Sequence, residues 1–408
     1  MENKIYLIGI GFKPLEKEAE ECLLGSHVIL GFFKTIELFK NKYFSVYEKV
    51  RFKIKVLNKV EELLEEAKRG LSLGDVTLLA SGDPLYFGIG KRVIDFFGKE
   101  RIQVFPDLSS LQKATSLIKE NWWEIPSLSF HNRPLDLALL LNKLYYHQKL
   151  ALLTDPVNTP SFIASCLKEK GLGKEIIFWV FEKMGTEEEK VFRGTPEEIA
   201  RKTFKEPNFL ILTLEPQKEK ILFGLKEEEI FHLRGMITKD EVRAVVLHQL
   251  RVPREGVLWD IGAGSGSVSL ECALLSSDLK VYAIEKEASA CELIQKNIER
   301  FKVFNVEVIK GLAPEVLTDL KKPDRVFIGG SGGKLKEILE FLNNLDSLPL
   351  VVLTAISLET LNISLKFFKE KNWNFKISQI GISRVEPLGS QLVFKAQNPI
   401  FVIRAQKG

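Results

Sequence analysis

A glycine-rich turn between an apolar run and an amphipathic segment constrains the fold of this chain more than any other feature. The segment Val257–Ile261 is apolar except for Asp260, and the turn that follows contains Gly262, Gly264 and Gly266. This pattern predicts a buried strand that enters a helix through a loop whose glycines let a ligand approach the backbone closely. We therefore expect a ligand site at the carboxyl end of this strand.

The residues around the turn indicate which ligand it binds. The next apolar run ends in Glu285, whose carboxylate can accept hydrogen bonds from both ribose hydroxyls of a nucleoside. The glycine spacing is G-x-G-x-G, whereas dinucleotide sites have G-x-G-x-x-G, so a nicotinamide cofactor is disfavoured. Asp260 suits a cationic or amine-bearing ligand and would repel a diphosphate.

This region resembles motif I of the class I S-adenosylmethionine-dependent methyltransferases. The resemblance implies S-adenosyl-L-methionine as the cofactor, held by the strand ends, the glycine turn and the loop after the third strand. The matching positions are Asp260, Gly262, Ala263, Gly264, Ser265, Gly266, Glu285 and Ala313. Leu312 stands where many of these enzymes have an acid for the adenine amino group. Either the backbone around Ala313 binds adenine, or adenine recognition is looser.

Segments of the second half also resemble the decarboxylating methyltransferase domain of corrin biosynthesis. They are Thr238–Arg243, Asp260–Ser267, Gly329–Gly333, Thr354–Thr360 and Gly389–Pro399. The resemblance places Thr238 against the cofactor. Thr238 and Glu241 also have the spacing of a capping box, which predicts that a helix begins there.

The loop Gly329–Gly333, at the end of the predicted fourth strand, contains only glycines and one serine. Amino-nitrogen methyltransferases have D/N-P-P-Y/F there, so this loop lacks groups that orient an exocyclic amine and leaves room for a bulky flat substrate. A flexible crossover loop is the alternative. Substrate carboxylates need cationic or backbone N–H partners. Our candidates for substrate binding are Gly330, Ser331, Gly332, Lys334 and Arg384, and ordinary surface charge is the alternative for the two cations.

The first half carries different motifs at the ends of its predicted strands. Gly9 and Gly11 lie at the carboxyl end of the first strand, the turn Gly82–Pro84 follows a later one, and Pro106–Gln112 follows another. These motifs resemble the tetrapyrrole (corrin/porphyrin) methylases, class III methyltransferases with two α/β lobes and the cofactor in the cleft between them. The resemblance implies that Gly9 and Gly11 face the tetrapyrrole. It implies a cofactor cleft lined by Gly82, Asp83, Leu85, Ser109 and Ser110.

Strand-like and helix-like runs alternate along the 408 residues, which predicts more than one α/β domain, with mainly parallel sheets. We expect a two-lobed class III tetrapyrrole methylase fold over 1–214, with lobes of about 1–106 and 107–214. A linker over 215–229 then leads to a Rossmann-like class I methyltransferase fold over 230–408. Two late strand candidates have no clear helix between them, which predicts an antiparallel pair at the end of the sheet.

Composition limits the partners and the compartment. The net charge of +4 does not indicate a nucleic-acid binder but suits an acidic small substrate. No apolar run has transmembrane length, and the N-terminus does not resemble a signal peptide. Four cysteines without a C-x-x-C pair predict a reduced cytoplasmic protein with no metal site. A homo-oligomer is expected by family analogy.

The two families in this order imply a double methyltransferase of corrin biosynthesis. The resemblance assigns methylation of a precorrin or cobalt-precorrin at C-5 to the first domain, and C-15 methylation with loss of the C-12 acetate carboxylate to the second. The catalytic residues are not identified from the sequence. Two alternatives are an RNA base methyltransferase with an accessory domain and a non-catalytic tetrapyrrole-binding scaffold. The charge balance argues against the first, and the intact glycine turns argue against the second.

Overall fold

The computed structural model describes residues 3–131, 133–215, 221–233, 237–346 and 348–408. The chain divides into two compact units, Met1–Leu135 with Lys149–Glu215, and Asp136–Gln148 with Pro216–Gly408. The domain boundaries expected from the sequence stay predictions, and residues 216–220 of the expected linker lie outside the described residues. None of the described helices is both long and apolar enough to cross a membrane.

The first unit begins with a parallel sheet flanked by helices. Its elements are β1 (Ile5–Ile10), α1 (Lys17–Gly25), β2 (Val28–Phe32), α2 (Phe33–Lys42), α3 (Phe44–Val50), β3 (Ile54–Leu57), α4 (Val60–Leu71), β4 (Val76–Ser81), α5 (Gly90–Phe97) and β5 (Ile102–Phe105). The strand order is β3-β2-β4-β1-β5, and every pair is parallel. The carboxyl ends of β1, β4 and β5 therefore meet at one edge of the sheet.

A second, mixed sheet follows in the same unit. Its elements are α6 (Ser110–Ile118), β6 (Ser127–Ser129), then, after α7 (Leu137–His147) of the other unit, β7 (Lys149–Leu153), α8 (Pro160–Glu169), β8 (Ile176–Glu182), β9 (Lys190–Gly194), α9 (Pro196–Ala200) and β10 (Asn208–Leu214). The strand order is β6-β7-β10-β8-β9, and only β6 and β7 are parallel. The expectation of mainly parallel sheets was therefore wrong for this sheet.

The second unit is a seven-stranded sheet with one added hairpin. Its elements are α10 (Asp240–Leu250), β11 (Glu255–Ile261), α11 (Ser267–Leu275), β12 (Asp278–Glu285), α12 (Ala288–Phe301), β13 (Val306–Lys310), β14 (Arg325–Ile328), α13 (Leu335–Asn343), β15 (Leu350–Ala355), α14 (Leu358–Glu370), β16 (Trp373–Ile380), β17 (Ser383–Leu388), β18 (Gln391–Ala396) and β19 (Ile400–Lys407). The order is β13-β12-β11-β14-β15-β19-β16, with β19 antiparallel to both neighbours. The expected final antiparallel pair is confirmed.

The connections of the second unit reverse direction at β11, because the chain runs outward from β11 to β13 and then returns to β14 on the other side. In open α/β sheets, ligands bind at the carboxyl ends of the strands at such a switch point. The central strand is buried on both faces, since Leu258 packs into one core cluster and Trp259 into the other. The sheet thus presents the loops after β11 and β14 side by side at its carboxyl edge.

Helix α11, which follows the glycine turn, is buried along almost its whole length. Every residue from Ser267 to Leu274 is buried, including the polar Ser269 and Glu271. Buried polar groups need hydrogen-bond partners, because losing water without replacement costs free energy. Ser269 bonds to Asp260 at the end of β11, and Glu271 bonds to Arg243 on α10 and to the Leu225 backbone.

Candidate functional site

The glycine turn of the second unit lies against the loop that follows β14. Gly262, Gly264 and Gly266 have φ angles of +71°, +57° and +76°, which favour glycine. A Cβ added to Gly262 would lie 2.6 Å from the Gly330 backbone nitrogen and 2.7 Å from its Cα. The backbones of the two loops therefore approach each other more closely than any side chain at position 262 would allow.

Asp260 is buried at the end of β11 with one oxygen unsatisfied. Its Oδ2 accepts hydrogen bonds from the Ser269 backbone N–H at 3.0 Å and from the Ser269 hydroxyl at 2.6 Å. Its Oδ1, like the buried Ser265 Oγ, has no hydrogen-bond partner within the described residues. Burial raises the pKa of Asp260 to about 6, the bonds from Ser269 oppose this shift, and the nearby Glu285 adds to it. A cationic or amine-bearing ligand would satisfy this oxygen.

Glu285 lies at the end of β12 and binds the glycine turn directly. Its Oε2 accepts a hydrogen bond from Gly264 N at 2.9 Å, and its Oε1 accepts one from Glu287 N at 3.0 Å. Each carboxylate oxygen has a further lone pair, so two ribose hydroxyls could still donate to it. Its expected role in binding ribose stays a prediction.

The loops after β13 and β14 also meet at this edge. Ala313 is buried, and a Cβ added to Gly332 would lie 2.9 Å from Leu312 Cδ1. Ala263, in the glycine turn, takes part only through its backbone, since its side chain is apolar. Its N–H donates to the Ile284 carbonyl at 3.1 Å. The structure thus brings the loops carrying Gly262, Gly332 and Ala313 together, and the expected contacts of Gly262 and Ala313 with the cofactor and of Gly332 with the substrate stay predictions.

Thr238 does not form the expected capping box. Helix α10 begins at Asp240 with Lys239 as its N-cap, and no side chain caps it. Glu241 instead accepts hydrogen bonds from Arg384 at 2.6 and 3.1 Å, because the hairpin brings a guanidinium within reach. The Thr238 carbonyl accepts a bond from Arg243 Nη1 at 2.9 Å, and the expected contact of Thr238 with the cofactor stays a prediction.

The two cations expected to bind substrate already have carboxylate partners. Arg384 donates to Glu227 at 2.6 Å as well as to Glu241, and its hydrogen bond holds the pKa of Glu241 below its usual value. Lys334 is paired with Glu315, whose pKa it lowers. A substrate carboxylate would have to displace these acids, and exposed pairs such as Lys334–Glu315 are weak.

The loop after β14 has free backbone N–H donors, whereas the two cations are already paired. Gly329 N and Gly330 N donate to the Ile261 carbonyl, at 2.9 and 3.3 Å. Within the described residues, the amides of Ser331, Gly332 and Gly333 have no acceptor. Of the substrate-binding candidates, Ser331 and Gly332 are therefore better placed than Gly330 to bind a carboxylate.

In the first unit, the loops after β1, β4 and β5 converge. Gly82 N donates to the Ile10 carbonyl at 2.8 Å. A Cβ added to Gly9 would collide with the Gly82 carbonyl and lie 2.7 Å from Asp107 N. The parallel strands thus bring Gly9, Gly11 and Gly82 to one edge, as expected from the sequence.

Two residues that the sequence analysis did not select hold the loop after β1. Asp107 is buried, and its carboxylate accepts hydrogen bonds from Phe12 N at 2.6 Å, Lys13 N at 3.1 Å and Leu108 N at 2.7 Å. The Tyr43 hydroxyl accepts a bond from Gly11 N at 3.1 Å and donates to the Lys13 carbonyl at 2.5 Å. Asp107 lies within the Pro106–Gln112 motif, so the motif could have indicated it. No feature of the sequence indicated Tyr43.

The remaining predicted residues of the first unit have local structural roles. Asp83 Oδ1 accepts from Leu85 N at 2.8 Å, which forms a tight turn, and the Leu85 side chain is 53% exposed. Ser109 caps α6 in a capping box with Gln112, and Ser110 is the first residue of that helix. Their expected contacts with a cofactor stay predictions.

A buried ion pair and a buried asparagine also organise the second unit, and neither was expected from the sequence. Arg243 and Glu271 form a buried ion pair at 2.9 Å, and both also bind the backbone of Leu225. Asn297 on α12 contacts the glycine turn at the Ser265 carbonyl and both backbone groups of Phe231. These residues fix the segment before α10 to the body of the unit.

Both units match known methyltransferase families. Residues 4–200 match the Tetrapyrrole (Corrin/Porphyrin) Methylases, and residues 229–407 match the Precorrin methyltransferase domain. The two matches divide the chain between them in the order that the motifs indicated.

Individual relatives match either part of the chain or most of it. A cobalt-precorrin-6B C(15)-methyltransferase (decarboxylating) of Salmonella typhimurium is 38% identical over 186 residues, covering 44% of this chain and 95% of the relative. A precorrin-6Y C(5,15)-methyltransferase [decarboxylating] of Sinorhizobium sp is 29% identical over 338 residues, covering 82% of this chain and 80% of the relative. The crystal structure of a precorrin-6Y C5,15-methyltransferase from Geobacter metallireducens is 36% identical, covers 47% of this chain and 100% of that one, and has a TM-score of 0.45.

Proposed function

The chain belongs to the precorrin methyltransferase family, and we propose that it is a precorrin-6Y C5,15-methyltransferase (decarboxylating) that acts in cobalamin biosynthesis. The first unit would methylate C-5 of a precorrin or cobalt-precorrin. The second would methylate C-15 and remove the C-12 acetate carboxylate. The observation that carries the proposal is that each unit has its own loop edge with glycine-dependent close approaches, and that each unit matches a methyltransferase family. The matches do not support an RNA methyltransferase or a non-catalytic scaffold.

In the second unit, the residues around the glycine turn fit S-adenosylmethionine. When bound, this cofactor supplies a methyl group to a nucleophilic carbon. The unsatisfied Oδ1 of Asp260 would hold positive charge, and Glu285 would accept from the ribose hydroxyls. The glycines at 262, 264 and 266 leave the backbone uncovered, so that it can contact the ligand.

The expected chemistry needs alignment more than a strong base. Meso carbons of a reduced tetrapyrrole are enamine-like nucleophiles, and holding such a carbon against the methyl donor removes much of the entropic barrier. In the decarboxylation, the bond between the acetate methylene and its carboxylate breaks, and the electron pair enters a conjugated iminium of the ring. Exclusion of water weakens the solvation of that carboxylate and favours its loss. The free amides at Ser331–Gly333 would bind other carboxylates and orient the ring.

In the first unit, we propose that Gly82, Asp83, Leu85, Ser109 and Ser110 line the cofactor cleft and that Gly9 and Gly11 contact the tetrapyrrole. The hydrogen bonds that this loop makes with the Asp107 carboxylate and the Tyr43 hydroxyl keep the Gly11–Lys13 backbone in one conformation before substrate arrives. Preorganised loops bind better because less conformational entropy is lost on binding.

Isothermal titration of S-adenosylhomocysteine into the full chain tests this assignment. Wild type should bind at two sites, and Gly264→Val should remove one of them, because a branched side chain at a positive φ distorts the turn. A single wild-type site that persists in Gly264→Val would remove the methyltransferase assignment from the second unit. A single site that disappears would remove it from the first.

We further propose that the chain forms a homo-oligomer through the hairpin β17–β18. Val385 lies opposite Phe394, and Pro387 lies opposite Leu392, so these four apolar side chains share one face. The side chains of Val385, Leu392 and Phe394 are 52%, 76% and 79% exposed. Apolar patches of this kind mark interaction surfaces. Light scattering should show wild type as an oligomer and Leu392→Glu/Phe394→Glu as a smaller species, whereas a monomeric wild type would contradict the proposal.

We propose a reducing compartment, the cytoplasm, because all four cysteines are free. An acidic tetrapyrrole is the proposed partner, and neither a nucleic acid nor a membrane is.

A further inference from the structure

A buried asparagine connects the glycine turn of the second unit to the segment before α10. Asn297 lies on α12, which packs beside the turn, and is 0% exposed. Its Nδ2 donates to the Ser265 carbonyl at 3.0 Å and to the Phe231 carbonyl at 2.9 Å. Its Oδ1 accepts from Phe231 N at 2.9 Å. Both amide hydrogens and the amide oxygen are therefore used, and one of these bonds reaches the proposed cofactor loop.

The position of the bond within the turn is what makes it important. Ser265 lies between Gly264 and Gly266, and flanking glycines leave a backbone with little conformational preference of its own. Two contacts from outside the turn hold adjacent residues in place. Glu285 Oε2 accepts from Gly264 N at 2.9 Å, and Asn297 donates to the carbonyl of Ser265. These two side chains, from α12 and the end of β12, add to backbone hydrogen bonds of the turn such as that from Gly266 N to the Ala263 carbonyl at 2.8 Å.

The other end of the contact is also held firmly. Phe231 has both of its backbone groups bound by Asn297, and the Arg300 guanidinium lies 4.8 Å from the centre of its ring. Such a cation–π contact adds to the stability of the segment. A rotation of the Asn297 side chain that released Ser265 would therefore also break its bonds to Phe231, which the Arg300 contact holds as well.

We propose that Asn297 is a positioning residue for the cofactor of the second unit. It holds the Ser265 carbonyl and so keeps the glycine turn in its binding conformation before S-adenosylmethionine arrives. This inference rests on the proposed function, since it concerns the same cofactor. Without the anchor, the turn must be ordered during binding, and affinity falls because that entropy is lost at the binding step.

The chain offers a matched control for this test. Asn305 is also buried, and its Nδ2 donates to the carbonyls of Ala273, Ser276 and Leu279 at 3.3, 3.0 and 2.8 Å. None of these three residues belongs to the glycine turn. Asn297→Ala and Asn305→Ala each leave buried carbonyls without a donor, so both variants should lose stability. Only the first should disturb the cofactor loop.

The experiment compares the two variants by titration of S-adenosylhomocysteine into the full chain, with Gly264→Val identifying the site of the second unit. We expect Asn297→Ala to weaken that site by about tenfold and to leave the other site unchanged, because the lost preorganisation affects one loop only. Asn305→Ala should bind S-adenosylhomocysteine with an affinity within about twofold of wild type, although its Tm should fall about as much as that of Asn297→Ala. In steady state, Asn297→Ala should raise KM for S-adenosylmethionine in the decarboxylating methylation and leave kcat within about threefold.

The outcomes separate this inference from the proposed function. Equal affinities of Asn297→Ala and wild type would overturn the positioning role, as would equal losses of affinity in both asparagine variants. A wild-type chain without any site sensitive to Gly264→Val would instead overturn the proposed cofactor site itself. If Asn297→Ala does not fold, Asn297→Asp replaces it, because it keeps the acceptor for Phe231 N and loses both donors.

Discussion

At the scale of single residues, Asp260 combines burial with one unsatisfied oxygen, and this should make stability depend on pH. Burial raises its pKa to about 6. A carboxyl group with a raised pKa stabilises the folded state fully below its unfolded pKa, near 4, and this contribution is lost as pH rises through about 6. Relative to wild type, Asp260→Asn should therefore gain about 2 to 3 kcal/mol in free energy of unfolding between pH 4 and pH 8.

Thermal unfolding of both proteins across this pH range measures the effect. A difference in Tm that stays constant with pH would mean that the pKa of Asp260 is not raised. The same substitution should weaken binding of S-adenosylhomocysteine at neutral pH, because the amide cannot compensate a cationic group. A residue that lowers stability and raises affinity is common in functional sites.

The contact between Gly262 and Gly330 predicts different results for two similar substitutions. A Cβ at position 262 would collide with the Gly330 carbonyl and lie 2.6 and 2.7 Å from the Gly330 N and Cα, and the φ of +71° adds strain. A Cβ at position 330 would lie 3.8 Å from Gly262 Cα, an ordinary contact. Gly262→Ala should therefore abolish cofactor binding in the second unit or weaken it by at least about tenfold, whereas Gly330→Ala should bind like wild type.

Titration with S-adenosylhomocysteine distinguishes the two substitutions. Similar losses in both variants would show that the close approach of Gly262 to the Gly330 backbone is not what makes position 262 sensitive. Normal binding by Gly262→Ala would show that this close approach does not constrain the site.

At the scale of elements, the buried pair Arg243–Glu271 joins α10 to α11 and both to Leu225. The Arg243 side chain is 1% exposed and that of Glu271 2%, so removing one partner leaves a charge without compensation. We expect Arg243→Met to cost about 3 to 5 kcal/mol. Adding Glu271→Gln should recover part of this loss, because the amide keeps an acceptor for Leu225 N without the charge.

Urea denaturation of the single and double variants measures the coupling. Lys322→Met provides the control, since its pair with Asp346 is exposed and should contribute less than about 1 kcal/mol. If Arg243→Met cost no more than Lys322→Met, the buried pair would not be what holds the segment before α10.

Elements with a buried face could be predicted from the sequence, and those without one could not. The strands around the glycine turn were expected close to their observed positions, because their apolar runs and the acids at their ends are local signals. The strands of the hairpin β17–β18 were not expected, because the hairpin is exposed on both faces and has no buried face that would mark them. The antiparallel pairing of β8 and β10 is set by contacts distant in sequence, and the alternation of helices and strands misled us there.

At the scale of the whole molecule, the sequence located the site loops but not the residues that hold them. Gly9, Gly82 and Gly262 were expected at strand ends, because glycine patterns and strand ends can both be recognised locally. Asp107 and Asn297 were missed because each bonds to a backbone group that is distant along the chain. Asp107 accepts a hydrogen bond from Phe12 N, and Asn297 accepts one from Phe231 N. Such partners become evident only when the loops are placed together.

The two units have separate cores and separate loop edges, and this predicts that their reactions can be separated and then recombined. Gly9→Ala should disable the first unit, because the added Cβ collides with Gly82 and Asp107, and Gly262→Ala should disable the second. On its own, the Gly262→Ala protein should add the C-5 methyl group and release no CO2. The Gly9→Ala protein should not add the C-5 methyl group. A mixture of the two purified proteins should form the doubly methylated, decarboxylated product.

Mass spectrometry of the tetrapyrrole and measurement of released CO2 follow the recombination, and the cofactor affinity of the intact site in each variant controls for folding. Full conversion by the mixture requires that the intermediate leaves one chain and enters another. If both intact sites bind S-adenosylhomocysteine normally and the mixture still stops after one methylation, the two reactions are not independent. The intermediate would then not pass from one chain to another, whereas release of CO2 by the Gly262→Ala protein on its own would show that the division of labour between the units is wrong.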